Sequence, residues 1–326
     1  MSRRPLSPGP PGDLFTAAIR PMLAVAVSRP FDSPDHLFEV KWDGYRCLAF
    51  VDTAGGRGRD GRLVRLQTRN LLDVTARYPE LSGLAGQVVG RRAIIDGEII
   101  AWADGRPDFG RLQRGQGPFY FVAFDLLYHD GEDLMGRPLV ERRERLARVV
   151  TPGNRVLISD AVPEHGEALF RAIVERDLEG MVGKARLSPY LPGTRSPFWV
   201  KVRHVKRIDC VICGYTAGHN FGRFGALILG AYSGGRLVYV GHVGTGFDAA
   251  EVGRLLRRLR VVETPPFSGQ APAEVARRAR WVEPRLACEV EYTELTSEGR
   301  LRHPTYRGLR PDKSPEECVL EGGPTR

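Results

Sequence analysis

Lysine is scarce in this sequence, with only five lysines among the 48 basic residues. Arginine supplies almost all of the positive charge, so the remaining lysines are candidates for tasks that need a primary amine. A GC-rich coding bias would also deplete lysine, but it would not explain the positions where lysine remains. The lysines are Lys41, Lys184, Lys201, Lys206 and Lys313.

Cysteine is sparse as well. The five cysteines form no paired framework, which excludes a disulfide scaffold and indicates free thiols in a reducing compartment. Cys210 and Cys213 form a single Cys-x-x-Cys pair within an apolar run, and no second pair or suitably spaced histidines follow. A structural zinc site is therefore not expected, and we predict that both thiols are buried and inert.

Long apolar runs are missing. No uninterrupted stretch approaches the ~20 residues that a helix needs to cross a bilayer, so no membrane partner is expected. The first residues contain arginines and repeated prolines but no apolar core, which is not the pattern of a secretory signal. We predict that residues 1–19 form a disordered, basic, proline-rich tail.

Acidic residues are outnumbered by basic ones. The formal net charge is +9, which indicates a polyanionic partner such as nucleic acid. A cytoplasmic, nucleoid-associated location is the expectation that follows.

The pattern of apolar residues predicts an α+β fold with a boundary near residues 204–207. Before it, strand-like runs alternate with segments of helical spacing at residues 138–150 and 166–177. After it, short strands separated by glycine-rich turns, including Ser233-Gly234-Gly235, accompany one helical segment at residues 249–259. We predict antiparallel sheets with helices over residues 20–205 and an OB-fold β-barrel, of the oligonucleotide-binding type, over residues 206–326.

The segment around Lys41 is a candidate catalytic segment. Its neighbours predict a strand, a polar break and a second strand. An amine that attacks phosphorus must be neutral, and burial and nearby cations favour the neutral form. Asp43 can orient the amine, Gly44 can allow a tight turn near a phosphate, and Arg46 can pair with charged oxygens. A charged hairpin turn would look similar, so the segment does not define a function alone.

Five further motifs follow along the chain as far as residue 203, and each lies next to an apolar run. They read Gln67-Thr68-Arg69-Asn70, Asp96-Gly97-Glu98, Ala123-Phe124-Asp125-Leu126-Leu127, Glu179-Gly180-Met181-Val182-Gly183-Lys184 and Trp199-Val200-Lys201-Val202-Arg203. The whole series resembles the covalent nucleotidyltransferase superfamily, which contains ATP-dependent DNA ligases, RNA ligases and capping enzymes.

Several phrases narrow the resemblance to the ATP-dependent DNA ligases of bacterial end joining (NHEJ). They lie at residues 38–46, 188–193, 239–247, 301–304 and 309–313. The resemblance extends over residues 20–322. Such ligases are free-standing proteins or modules fused to polymerase and nuclease domains, and we expect the free-standing or excised form here.

The resemblance implies a role for each motif residue. Lys41 would be the nucleophile that receives AMP from ATP, Glu39 would read the adenine amino group, and Phe124 would stack on the ring. Arg46, Arg69 and Glu98 would hold the ribose and the phosphates, and Lys184, Lys201 and Arg203 would surround the α-phosphate. Val40 is a further implied nucleotide-binding residue.

A metal site and a mobile motif are implied in the same way. Glu98 and Glu179 would hold the catalytic Mg²⁺, for which Mn²⁺ is an alternative, because carboxylates suit a hard cation. Arg203 replaces a lysine that is usual in the family, and its role stays open. Arg310 and Lys313 would close over the nucleotide and orient the departing pyrophosphate.

The implied activity is the sealing of nicks in duplex DNA by a monomer, with bacterial Ku or a repair polymerase as candidate protein partners. A capping-type guanylyltransferase, an RNA ligase and a non-catalytic DNA-binding relic are the alternatives. An NAD⁺-dependent ligase is disfavoured because the family's four-cysteine zinc module is missing from this sequence. The repair pathway, the tolerance for 3′ ribonucleotides and the arginines that contact DNA stay open.

Overall fold

The computed structural model describes residues 14–15, 18–54, 63–218, 224–269, 271–296 and 298–320. The chain divides into two compact units, Met1–His204 and Val205–Arg326. Among the described residues, no helix has the length and apolar character needed to cross a membrane.

Most of the predicted tail, at residues 1–13, 16 and 17, lies outside the described residues. Its last part is packed, because Ile19 is buried and Leu14 and Phe15 contact the same core cluster. The Ile19 carbonyl also accepts a hydrogen bond of 2.6 Å from the buried amide of Gln67. Ordered packing therefore starts before residue 20, where the sequence placed the first domain boundary.

The first unit contains strands and helices in alternation. In chain order the elements are β1 (Leu23–Ala26), β2 (Ser33–Val40), β3 (Tyr45–Asp52), β4 (Val64–Thr68), β5 (Arg92–Ala103), β6 (Arg106–Pro107), α1 (Phe109–Arg114), β7 (Phe119–His129), β8 (Glu132–Asp133), α2 (Leu139–Val149), β9 (Val156–Ile158), β10 (Ala161–Glu164), α3 (Gly166–Glu175), β11 (Gly180–Ala185) and β12 (Arg195–Arg203). Two 3₁₀ helices, Thr75–Arg77 and Pro79–Gln87, follow β4.

These strands form two sheets in the described part of the first unit. The five-stranded sheet has the order β1-β12-β11-β2-β10, and the seven-stranded sheet has the order β4-β3-β5-β7-β8, with β6 beside β5 and β9 beside β7. A core cluster between the sheets includes Phe50 of β3, Leu127 of β7 and Trp199 of β12. Helix α3 covers the five-stranded sheet, with Ile173 packed against Phe38.

The second unit consists mainly of β-strands that pair with one another. Its elements are β13 (Lys206–Ala217), β14 (Phe224–Ser233), β15 (Arg236–Val243), α4 (Ala249–Arg258), β16 (Val261–Val262), α5 (Ala273–Ala276), β17 (Ala279–Val282), β18 (Ala287–Tyr292), β19 (Thr305–Leu309) and a 3₁₀ helix, Pro315–Glu317. Strand β13 pairs with β14 on one edge, and with β18 and then β17 on the other. One long strand that is shared in this way lets a short-stranded sheet curl towards a barrel.

The predicted local elements of both units are present. The three predicted helical segments are α2, α3 and α4. Ser233 pairs with Arg236 across the predicted hairpin, and Gly234 and Gly235 both have positive φ (56° and 74°), which a two-residue turn of this kind requires.

The Cys-x-x-Cys pair is buried, as predicted. Cys210 and Cys213 are free cysteines in the core of the second unit. Burial raises the pKa of both thiols, so they stay protonated and are poor nucleophiles.

Helix α2 carries an arginine on its buried face. The guanidinium of Arg142 is fully buried and donates two hydrogen bonds of 2.8 Å to the carboxylate of Asp125. Its remaining nitrogen donates to the carbonyls of Arg137 (2.5 Å) and Ser188 (2.9 Å). All three guanidinium nitrogens donate hydrogen bonds, and they tie the helix to β7 and to the loop between β11 and β12.

We expect Arg142→Ala to lower the free energy of unfolding by about 3–5 kcal/mol, because it leaves the charge of the buried Asp125 carboxylate without a cationic partner. Urea denaturation measures the change. Arg148→Ala is the matched control on the same helix, where the side chain is 78% exposed, and it should change stability by no more than about 0.5 kcal/mol. A loss below about 1 kcal/mol for Arg142→Ala would contradict this account.

Candidate active site

A cleft in the first unit is lined by residues from both sheets. The lining residues are Leu23, Ala24, Glu39, Val40, Lys41, Trp42, Arg46, Arg69, Glu98, Phe124, Val182, Lys184, Arg195, Trp199 and Lys201. The cleft thus brings together all of the site residues predicted from the sequence except Glu179, Arg203, Arg310 and Lys313.

Lys41 lies just beyond the end of β2. Its backbone N–H donates to the Gly180 carbonyl at 2.8 Å, which fixes the chain beside β11. Its amine forms an ion pair with the carboxylate of Glu179, and both side chains are mostly buried. The other Glu179 oxygen, Oε2, is buried and has no hydrogen-bond partner among the described residues. Glu179 therefore lies next to the candidate nucleophile, although it does not line the cleft.

Gly44 is required by close packing. A Cβ atom at this position would lie 2.2 Å from the carbonyl oxygen of Ile99 and 2.9 Å from Cγ of Glu98. The glycine lets the turn after Lys41 lie directly against β5, which places Glu98 near the candidate nucleophile. The turn expected from the sequence is present, but its glycine serves the contact with β5.

One end of the cleft holds a buried carboxylate between two cations. Glu39 is 2% exposed, and Lys184 Nζ lies 2.9 and 3.0 Å from its two oxygens. Arg143 Nη1 donates to Glu39 Oε1 at 2.8 Å. Burial lowers the pKa of Lys184, and the positive charge of Arg143 acts in the same direction.

Aromatic rings flank this buried cluster. The Lys184 amine lies 4.3 Å from the ring centre of Phe124 and 4.5 Å from that of Trp199. Lys184 is four residues along β11 from Gly180, the partner of Lys41, which corresponds to ~13 Å of strand. The sequence predicted that Lys184 lies at the α-phosphate, and in the structure its amine contacts Glu39, the predicted adenine reader.

Arg46 is held by an acidic residue of β5. Its guanidinium donates two hydrogen bonds of 2.6 Å to Asp96, which also accepts one from the Tyr190 hydroxyl at 2.6 Å. The guanidinium carbon lies 4.5 Å from the ring centre of Phe124. Arg46 therefore forms part of the wall beside the aromatic rings.

Carboxylates and cations meet at the Lys41 end of the cleft. Burial raises the pKa of Glu98 to about 8, and the negative charges of Glu179 and Asp96 add to the rise, while Arg46 and Lys41 oppose it. Two carboxylates that repel one another in this way are typical of a site that gains a cation.

Lys201 adds a cation to the same region. Burial lowers its pKa, and the positive charges of Arg203, Lys41 and Arg195 lower it further. Such a group of cations is expected where a polyanion such as a triphosphate binds.

The remaining predicted residues lie elsewhere. Arg203 is exposed at the end of β12 and does not line the cleft. Arg310 and Lys313 belong to the second unit, where both form ion pairs with Asp209, at 2.9 and 2.5 Å. Arg310 also donates two hydrogen bonds to Asp312, at 2.9 and 2.8 Å.

Sequence reasoning missed several residues of the site. Arg143 and Arg195 lie outside the motifs, and Trp42, Asp96 and Trp199 were read within motifs but given no role. An apolar helix pattern with two adjacent arginines was the only signal for Arg143. It does not show which arginine faces the cleft.

The first unit has a basic cleft lined by aromatic rings and a lysine–glutamate pair, and the second unit is a small β domain. These features define a nucleotidyltransferase with an OB-fold domain. The family model for the ATP-dependent DNA ligase domain matches residues 21–203, and the one for the C-terminal region of ATP-dependent DNA ligases matches residues 220–313. The chain belongs to the family of ATP-dependent DNA ligases. The resemblance and the α+β fold predicted from the sequence are thereby confirmed.

Individual relatives agree with this assignment. The multifunctional non-homologous end joining DNA repair protein LigD of Mycobacterium tuberculosis is 38% identical over 292 residues, which cover 87% of this chain and 37% of LigD. DNA ligase C of the same organism is 31% identical and matches over 92% of both chains. The structure of mycobacterial DNA ligase D with ATP and MES shares 35% identity and a TM-score of 0.53, covering 95% of this chain and all of that one. The chain thus spans little more than a third of the LigD protein.

Proposed function

We propose that this protein seals nicks in duplex DNA with ATP, through a covalent lysyl-AMP intermediate at Lys41. Residues 20–205 would carry out adenylation, and the OB-fold domain, residues 206–326, would bind DNA. The observation that carries the proposal is the cleft itself. It has a lysine beside a carboxylate at one end, and a buried carboxylate with aromatic rings at the other.

The reaction consists of three phosphoryl or nucleotidyl transfers. The amine of Lys41, after losing a proton, attacks the α-phosphorus of ATP, and the bond to pyrophosphate breaks. An oxygen of the 5′-phosphate at the nick then attacks the AMP phosphorus, and the P–N bond to Lys41 breaks. The neighbouring 3′-hydroxyl finally attacks the activated phosphate, which forms the phosphodiester and releases AMP.

The buried end of the cleft fits an adenine base. The Glu39 carboxylate is a hydrogen-bond acceptor that suits the 6-amino group of adenine, and Phe124 offers a ring face for stacking. Lys184 holds Glu39 in place and adds positive charge beside the base. Val40 lies between Glu39 and Lys41 and contributes to the wall of the cleft.

The cations of the cleft fit the ribose and the phosphates. Arg46, Arg69, Arg195 and Lys201 all line it, and fixed positive charges stabilise the charge that develops on non-bridging oxygens during transfer. Arg203 lies outside the cleft, but its positive charge lowers the pKa of Lys201, which lines the cleft.

Glu98 and Glu179 fit a divalent cation. Glu179 Oε2 has no hydrogen-bond partner among the described residues, and burial together with the negative charges of Glu179 and Asp96 raises the pKa of Glu98, so a cation between these carboxylates would be stabilised. No cluster of three or more metal-binding side chains occurs in the described part of the chain, so phosphate oxygens would complete the shell, as is common for Mg²⁺. When bound, Mg²⁺ or Mn²⁺ would neutralise phosphate charge beside Lys41.

In the second unit, Arg310 and Lys313 are the candidates to orient pyrophosphate during adenylation. Asp209 forms ion pairs with both of them, and Asp312 with Arg310. Movement of this segment to the nucleotide would be a gating step.

The biological setting that we propose is DNA end joining, after the LigD relatives. The partners would be nicked duplex DNA and, among proteins, bacterial Ku or a repair polymerase. The protein would act as a monomer in the nucleoid-associated cytoplasm.

The proposal is tested by mixing the purified protein with ATP labelled at the α-phosphate and Mg²⁺, followed by a chase with nicked DNA. We expect a labelled protein band on a denaturing gel, which disappears as sealed DNA forms. A band with GTP only would indicate a capping-type enzyme instead. No band with either nucleotide, from protein freed of bound AMP, would leave a DNA-binding relic.

A further inference from the structure

We propose that Arg143, which lies outside every motif, positions both the base-reading carboxylate of Glu39 and the backbone of Phe124, and so sets the preference for adenine. The inference rests on the proposed function, because it concerns the base that the adenylation site takes. Arg143 is a positioning residue, since it acts through its neighbours.

Arg143 joins the two sheets behind the cleft. One guanidinium nitrogen, Nη1, donates to Glu39 Oε1 on β2 at 2.8 Å and to the Phe124 carbonyl on β7 at 3.1 Å. The other, Nη2, donates to the carbonyl of Ser159 at 2.7 Å. The two strands belong to different sheets, so this single side chain fixes the acceptor and the stacking ring relative to one another.

The charge of Arg143 matters as well as its reach. Glu39 is almost fully buried, and a buried carboxylate is costly unless cations pair with it. Lys184 pairs with both oxygens, and Arg143 adds the second positive charge at 2.8 Å. Without Arg143, the carboxylate would be free to turn with the flexible lysine, which offers no planar fork to hold it.

The adjacent arginine has a different task. Arg142 is bound to Asp125 and to two carbonyls and is fully buried. Arg143 is 13% exposed and contacts Glu39, which lines the cleft. One arginine stabilises the fold, and the next one supports the site.

The test compares ATP with purine riboside triphosphate, in which hydrogen replaces the 6-amino group. Single-turnover rates of adduct formation are measured on the full chain after bound AMP has been removed with pyrophosphate. We expect the unaltered protein to prefer ATP by about 10- to 100-fold, the size of one hydrogen bond to a charged acceptor. Arg143→Gln should reduce this preference at least about fivefold, mainly through a raised KM for ATP.

A double-mutant cycle separates positioning from general damage. Glu39→Gln should also reduce the preference, because an amide oxygen is the weaker acceptor. Adding Arg143→Gln to Glu39→Gln should change the preference by less than about twofold, since both act on the same contact. Arg148→Gln, on the exposed face of α2, should leave the preference unchanged. Arg143→Lys keeps a cation and should give an intermediate preference, and it carries the test if Arg143→Gln does not fold.

If Arg143→Gln lowered the rate of adduct formation equally for ATP and the analogue, the inference would be overturned, because a merely structural role affects both nucleotides alike. Additive effects of Arg143→Gln and Glu39→Gln would overturn it as well. These outcomes differ from failure of the proposed function, in which the unaltered protein forms no adduct with ATP at all.

Discussion

Lys41→Ala should lower the rate of adduct formation with ATP by at least about 10⁴-fold, the scale on which removal of a covalent nucleophile acts. The cleft has two other lysines, but Lys184 is buried against Glu39, and Glu179 forms its ion pair with Lys41. Neither is expected to replace the missing amine. The measurement is the amount of labelled protein after incubation with ATP labelled at the α-phosphate.

Two comparisons isolate the chemistry of the amine. Lys41→Arg keeps a positive charge that can still pair with Glu179, yet guanidinium is not a nucleophile, so it should be as inactive as Lys41→Ala. Lys206→Ala, which removes the lysine outside the motifs, should form adduct at a rate close to that of the unaltered protein.

Lys41→Ala should still catalyse the last step of the reaction. Nicked DNA that already carries AMP on its 5′-phosphate needs no lysine amine, so Lys41→Ala should seal it at a measurable rate. Labelled adduct in Lys41→Ala would contradict the assignment of the nucleophile. Failure to seal pre-adenylated DNA, in a variant with unchanged thermal unfolding, would contradict the proposed separation of the steps.

Local features of the fold could be predicted because they depend on neighbours in the chain. The hairpin at Gly234 and Gly235 needs only two residues that accept positive φ, and α2 needs only its apolar spacing. The turn after Lys41 was predicted too, but the reason for Gly44 was not. Its close contact with Ile99 on β5 depends on how two strands pack, which the motif does not reveal.

The different roles of Arg142 and Arg143 show a second limit of prediction from the sequence. Both are arginines on one helix, and both would be read as solvent-facing charges. The helical phase points one of them towards Asp125 and the other towards Glu39, so their partners come from distant parts of the chain. Partners of this kind depend on the packing of α2 against the sheets, and a single sequence does not give that packing.

The N-terminal boundary, predicted at residue 20, depends on contacts of the same kind. A proline-rich composition predicts disorder, but it is silent on where the chain first meets the core. Leu14, Phe15 and Ile19 pack against one core cluster, and Gln67 donates a hydrogen bond to the Ile19 carbonyl.

Glu179→Gln should reduce the rate of adduct formation by about 100-fold or more, because one carboxylate serves two groups. It pairs with the Lys41 amine, and its second oxygen is available to a divalent cation. The amide has nearly the same shape but no charge, so it can neither attract the amine nor neutralise Mg²⁺. Glu175→Gln, at the exposed end of α3, is the matched control and should have little effect.

The dependence on Mg²⁺ distinguishes the two contributions of Glu179. If it holds the metal, the concentration of Mg²⁺ at half-maximal rate should rise by about 10- to 100-fold in Glu179→Gln, the usual cost of losing a group that supports metal binding. If it only orients Lys41, the rate should fall while this concentration stays the same. A rate within about threefold of that of the unaltered protein would remove Glu179 from both roles, and Glu98 would then be the carboxylate that the metal and the nucleophile share.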